Sequence, residues 1–198
     1  KGSHMTVTLI YDKFPQIPRK VLYLLIQVVS LGFFAALFYC GWVEVRDEID
    51  HLESIQNALD IAQSEDDLAQ IREEMMESGY IRRKGNAKKA RFKSHPLHYV
   101  NPDGFHIYVG KNNFQNDELT FQFATGNDWW FHAKGRPGSH VIVKCEGREL
   151  TDATYEDAAR LAAFYSKAKG QSKIEVDYLQ KKNVKKPGGA KPGFVVYY

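Results

Sequence analysis

Residues 128–143 read "DWWFHAKGRPGSHVIV". Aromatic residues suited to a pleated surface are followed by a Gly-Arg-Pro-Gly-Ser run and then by His-Val-Ile-Val, so the stretch reads as strand, turn and strand. If Asp128 to Lys134 is extended, Asp128, Trp130, His132 and Lys134 share one face and Trp129, Phe131 and Ala133 share the other. The second set is the expected core. The first is the more polar face, and it leaves Trp130 and His132 for a ligand.

Working outward, "HYVNPDGFHIYVG" places two short strands around Asn101-Pro102-Asp103-Gly104, which carries tight-turn chemistry. "NNFQNDELTFQFATGN" suits a short helix, capped by Asn116 or Asp117 and ending near Gly126. "TDATYEDAARLAAFYSKAKG" predicts an amphipathic helix with Leu161, Phe164 and Tyr165 toward the core, acids early and lysines late. "KIEVDYLQ" and "GFVVYY" add strands, joined by the lysine-rich "KKNVKKPGGAKP". The sum from residue 94 to 198 is an α+β domain, with a mixed or antiparallel sheet of five or six strands and two helices.

Upstream the texture changes twice. Val21 to Val43 has no charged residue, and as a helix it would rise ~34 Å, enough to span a bilayer. Gly32, Ala36 and Cys40 fall four apart on one face, a stripe that lets a second helix approach. A membrane span, a helix buried in a partner or dimer, and an anomaly in the sequence of the N-terminal part are the readings of this segment. Residues 44–79 then form a helical, coiled-coil-like stalk. Val45, Ile49, Leu52, Ile55 or Leu59, and Ala62 make its apolar stripe, Ser64 with Asp67 a near capping box, and Gly79 its stop. Residues 80–93 read as a basic linker, and residues 1–5, "KGSHM", as a tag remnant.

The chain has 198 residues and a formal charge of only +3, but the charge is segregated. "IRRKGNAKKARFK" carries seven basic residues and no acidic one, and "QKKNVKKPGGAK" is a second basic cluster. Such segregation suits an acidic partner such as RNA. Cys40 and Cys145 match neither a disulfide framework nor a metal spacing, and Cys145 reads as a reduced core thiol. An acid–base pair or metal site from His132 and His140 with Asp128 stands without a supporting motif, since HExxH, paired cysteines, GxSxG and Walker sequences are absent. No catalytic residue, metal or cofactor is expected. RNA binding fits better, because flat side chains stack on bases and cations hold phosphates. The candidates are Asp128, Trp130, His132, Lys134, Arg136 and His140, with Gly138 and Ser139 offering backbone N–H groups to a phosphate. Lys181, Lys182, Lys185 and Lys186 supply the second basic cluster.

"DGFHIYVGKNNFQNDELT", "DWWFHAKGRPGSHVIV" and "YLQKKNVKKPGGAKPGFVVYY", in that order, resemble the NFACT-R domain. This is the C-terminal RNA-binding domain of the bacterial NFACT ribosome-quality-control proteins, also called fibronectin-binding proteins. "IDHLESIQNALDIAQSEDDLAQIREEMMESGYIRRK" is similar to the return arm of the family's coiled coil, so the resemblance runs from about Asp47 onward. Asp128, Trp129, Trp130, His132, Lys134, Pro137, Gly138, Ser139 and His140 stand on its central motif. The resemblance implies contact with tRNA or rRNA on obstructed large ribosomal subunits, where full-length relatives add an untemplated alanine tail. The family's N-terminal and helix-hairpin-helix domains do not appear in this sequence, so RNA binding is carried over and tail elongation is not. The alternative it implies is a surface adhesin for a matrix protein such as fibronectin. The expected location is the cytoplasm, at the ribosome. Val21 to Val43 departs from the family, which has a charged arm there. A span at that point, with Lys13, Arg19 and Lys20 before it, would place the domain outside a membrane, in a tethered or cell-surface form.

Overall fold

A computed structural model describes residues 16–82 and 94–197, with side chains from Lys20 onward. The tag remnant and most of the basic linker, residues 83–93, lie outside the described residues. The chain divides into two compact units, Lys1–Glu48 and Ile49–Tyr198. Helix α1, Gln16–Ile61, runs through both. Within the first unit its large apolar side chains are exposed on every side, Leu31, Phe38 and Trp42 among them. Among the described residues this one helix is long and apolar enough to cross a membrane.

The second unit begins with a helical hairpin. Helix α2, Glu65–Glu77, starts at the capping box read from the sequence: the Ser64 hydroxyl accepts from the Asp67 N–H, and the Asp67 carboxylate accepts from the Ser64 N–H. It stops where Gly79 takes a positive φ of 82°. Ile55, Ala58 and Ile71 form the hairpin's small core, with Met75 and Tyr80 packed on it. Only part of the expected stripe is buried, since Ile49, Leu52 and Leu59 are each about half exposed.

The expected α+β domain follows. Strands β1 (Leu97–Val100) and β2 (His106–Val109) flank the Asn101–Gly104 turn. Helix α3 (Asn113–Glu118) runs on into a π turn at Leu119–Phe123. Then come β3 (Trp129–Ala133), β4 (Val141–Lys144), helix α4 (Asp152–Phe164) and β5 (Val176–Gln180). These five strands form one sheet in the order β1-β2-β4-β3-β5, with every neighbouring pair antiparallel. Strands β6 (Val184–Lys185) and β7 (Val196–Tyr197) make a separate two-stranded ribbon. The cap of α3 is Asn112, whose side chain accepts from the Gln115 N–H, and not Asn116 or Asp117.

Both faces of the sheet are covered. On one, α4 packs against Phe105, Ile107, Val109, Phe131, Val141 and Val143 through Ala158 and Ala162. Small residues let this helix approach closely, while Phe164, expected in the core, is half exposed beneath the Lys169 ammonium. On the other face the π turn and the β6–β7 ribbon cover Trp130 and Ile142 with Leu119, Ala124 and Val184. This second layer overturns the expectation for Trp130. The alternation along β3 is as read, but its more polar face is also interior, and Trp130 has no exposed surface.

Candidate nucleic-acid interface

At the end of β3 the chain turns through residues 134–140 and returns as β4. Several backbone groups of this loop are bonded within the protein. The Ser139 N–H donates to Tyr165 O (2.9 Å), the Lys167 N–H to Pro137 O (2.9 Å), and the Gly110 N–H to His140 O (3.1 Å). The Asn116 amide holds two more, donating to Gly138 O (3.3 Å) and accepting from the His140 N–H (3.0 Å). Gly138 is needed for packing, since a Cβ there would lie 2.9 Å from Ser166 Cβ. The Ser139 half of the expected phosphate cradle is therefore corrected: Ser139 is buried and its N–H is already used.

The histidines close the same loop from inside. The His132 ring bonds the Gly138 backbone, and burial pulls its pKa down to about 4 despite that bond. His140 is 1% exposed and accepts or donates at Nδ1 with Thr120 Oγ1 (2.8 Å), while its ring also meets the Gly193 backbone. Burial, with His132 beside it, holds His140 well below the ordinary imidazole range. Both rings are neutral at pH 7 and pack against Trp130. Asp128, at the start of β3, is also interior. It accepts from the Thr125 N–H (2.7 Å), the Cys145 N–H (3.0 Å) and Lys144 Nζ (2.5 Å). Burial alone would raise its pKa, but these donors outweigh it and lower it. Asp128, Trp130, Ser139 and His140 are thus buried framework, and His132 is half-buried beside them. Among the described residues no group of His, Cys, Asp and Glu is placed to hold a metal. Cys145 is a buried free thiol whose pKa burial raises, an inert state.

What reaches solvent is the set of cations. Lys134 is 58% exposed and only 3.8 and 3.9 Å from Glu175 and Asp177, distances at which screened surface pairs contribute little. Arg136, Lys182 and Lys185 are exposed, and Lys181 is half-buried beside the Phe121 ring. Lys186 is tied to Asp117, which also accepts from the Gly193 N–H, so it braces the ribbon against α3. These cations form two groups. Lys134 and Arg136 follow the end of β3. Lys181 lies beside its beginning, because Gln180 pairs with Trp129 and the Lys181 N–H donates to Asp128 O (2.8 Å). At ~3.3 Å per strand residue the groups stand ~20 Å apart.

One set of residues escaped the sequence reading. "KNNFQN", residues 111–116, is where the helical hairpin docks on the domain, through polar groups almost throughout. Buried Lys111 pairs with Asp67 (2.5 Å). Asn112 donates to Gln70 (2.8 Å), and Asn113 to Ser54 and Glu74 (2.7 Å each). Burial would raise the Asp67 pKa, but Lys111, Ser94 and the Gln63 N–H bring it down to about 2. Glu74 goes the other way: burial pushes it up to about 7, and its Oε2 has no hydrogen-bond partner among the described residues. The available signal was four amides and a lysine in six residues, matched by the acidic, glutamine-bearing stretch at 65–74.

Comparison with known proteins accords with this division. Residues 95–198 match the NFACT protein RNA-binding domain, and residues 43–94 match the NFACT N-terminal and middle domains. Residues 1–65, which hold the apolar helix, match the DctQ component of tripartite ATP-independent periplasmic transporters. The Rqc2 homolog RqcH of Streptococcus suis is 43% identical over 155 residues, 78% of this chain and 28% of that protein. The Rqc2 homolog RqcH of Bacillus subtilis is 42% identical over 155 residues, 77% of this chain and 27% of its own length. The solved C-terminal part of the fibronectin/fibrinogen-binding protein from Streptococcus suis superposes with a TM-score of 0.79 at 38% identity, covering 88% of this chain and 70% of that one. The chain thus spans little more than a quarter of the curated relatives it matches.

Proposed function

This chain belongs to the NFACT protein family through its RNA-binding domain, and on that premise we propose that its folded unit is a non-catalytic RNA-binding module of ribosome-associated quality control. In this reading it contacts tRNA or ribosomal RNA on obstructed large subunits, in the cytoplasm. The observation that carries the proposal is the match over residues 95–198 with a domain that leaves Lys134, Arg136, Lys182 and Lys185 exposed around a closed framework. Cations held on a rigid body recognise phosphates without paying for loop ordering. The test is co-sedimentation of the chain with purified large ribosomal subunits bearing peptidyl-tRNA, compared with empty subunits and with small subunits. Enrichment on the obstructed particle is the expected result, and equal recovery on all three would remove the reading.

A second reading, a cell-surface adhesin for a matrix protein such as fibronectin, is favoured by the name of the superposed Streptococcus suis protein and by the apolar helix. It requires surface exposure. Labelling of intact cells by a membrane-impermeant reagent supports it, and recovery in the unlabelled cytosolic fraction excludes it. Recovery in the membrane fraction without labelling points instead to a tether through residues 21–43 with the domain inside.

A further inference from the structure

Trp130 is sealed, but its neighbour Trp129 is only partly buried, and it stands at a cleft of about 350 Å³. That volume is at the lower end for small-ligand sites. The cleft lies where three distant segments meet: the start of β3, the turn after β4, and the end of β5. Asn127 and Trp129 come from the first, Arg148 and Glu149 from the second, Gln180 from the third, and Tyr155 of α4 adds a wall.

The turn is tight. The Arg148 N–H donates to Cys145 O (2.9 Å), with Glu146 and Gly147 both at positive φ (49° and 80°), a tight turn whose second central position suits glycine. It fixes Arg148, whose guanidinium lies 4.0 Å over the Phe105 ring and donates to Asp103 O and Gly104 O. Tyr155 meets the Trp129 indole edge-to-face at 5.1 Å and braces it. The amides of Asn127 and Gln180 each carry both donor and acceptor, and Glu149 adds acceptors only. Immediately outside, Lys181 and Lys182 flank Asn127, since their N–H groups donate to Asp128 O and Gly126 O (2.8 and 3.1 Å).

A braced, partly open indole beside paired amides, with lysines at the rim, is complementary to a flat heterocycle on a phosphodiester chain. We propose that this cleft holds one unpaired nucleobase of single-stranded RNA, stacked on Trp129 and hydrogen-bonded along its edge by Asn127 and Gln180, with the adjoining phosphates on Lys181 and Lys182. The inference rests on the RNA-binding reading above and adds where a base, as distinct from a phosphate, is held. Duplex RNA cannot offer such a base, so the site selects loops and ends.

The experiment uses the full chain with a mixed-sequence single-stranded RNA decamer, the same decamer in a duplex, and a tRNA, while Trp emission and affinity are followed. The expected result is quenching by the single strand and not by the duplex, retained in Trp42→Phe and abolished in Trp129→Phe. Removing a stacking partner weakens binding by about five-fold or more, so Trp129→Leu should show at least that loss. Asn127→Ala removes an exposed side chain whose loss leaves the framework intact, and a several-fold loss of single-strand affinity is expected even if Trp129→Leu folds poorly. Salt-dependent tRNA binding with unchanged Trp129 emission and unaltered affinity in Asn127→Ala would overturn the base cleft while leaving the RNA-binding reading standing. Absence of binding to any of the three RNAs would overturn both.

Discussion

The two ends of β3 are built for different work. Beyond Ala133, the loop through residues 134–140 is closed from within by His132, His140 and Asn116, and only the Lys134 and Arg136 side chains leave it. Before Trp129, the chain opens onto a cleft with a partly exposed indole and free amides. Both ends carry motif residues and both carry cations. The difference shows that a dense cluster of functional-looking residues can be largely buried framework, while the solvent-facing groups lie on less conspicuous neighbours.

The largest effect that could break this comparison is on stability. Trp130→Ala should cost about 3–5 kcal/mol, because a fully buried indole is removed from the layer between sheet and ribbon. Trp129→Ala should cost clearly less, and denaturant melts of the two variants give the contrast directly. Equal losses would mean that the two tryptophans are not divided as described. Next comes Gly138→Ala, where the added methyl meets Ser166 at 2.9 Å and an overpacking cost of about 1–3 kcal/mol is expected in the same melts.

A smaller change concerns binding alone. Lys134→Ala with Arg136→Ala should leave stability within about 0.5 kcal/mol of the parent. It should lower tRNA affinity and reduce the slope of log affinity against log salt by about 1.5–2. Unchanged affinity in the folded double variant would remove this end of β3 from the interface.

The subtlest comparison is in pH, where the loop and the hairpin oppose each other. His132 falls from 6.5 to about 4 on folding, so the unfolded chain binds more protons between those values and stability is lost as pH falls through them. Glu74 rises from 4.5 to about 7, so the folded chain binds more protons there and stability is lost as pH rises. The two slopes offset each other between about pH 4.5 and 6.5. Glu74→Gln keeps an acceptor for Asn113 and unmasks a stability that climbs with pH across this window. A flat profile in that variant would contradict the burial assigned to the loop histidines.

The order of strands and helices in the domain was legible because it depends on local signals. The Ser64–Asp67 box, the Asn101–Gly104 turn and the period-two pattern of β3 each act within a few residues. What was not legible depends on a second layer. Alternation separates Trp129 from Trp130 correctly, but it cannot say which face is wet when a ribbon some sixty residues away covers the polar one. The histidines look like ligands for the same reason, since only the fold shows that His132 bonds the Gly138 backbone and that His140 bonds Thr120 and the Gly193 backbone. Asn112 caps α3 because its side chain accepts from the Gln115 N–H, while Asn116 sits inside the helix with its N–H on Asn112 O and turns only its side chain to the loop at Gly138 and His140. The cleft was hidden because Asn127, Arg148 and Gln180 meet only through strand pairing.

The apolar helix is a separate matter of composition. A helix apolar on every side suits a membrane or burial in a partner, and residues 1–65 match the DctQ component of tripartite ATP-independent periplasmic transporters.

The most direct test of the central claim is equilibrium binding of labelled tRNA to the full chain across a potassium chloride series from 50 to 200 mM. With the exposed lysines and arginine seated on phosphates, affinity should fall log-linearly with salt, by about ten-fold or more over that range. Binding that does not change with salt, or no binding at the lowest salt, would contradict it.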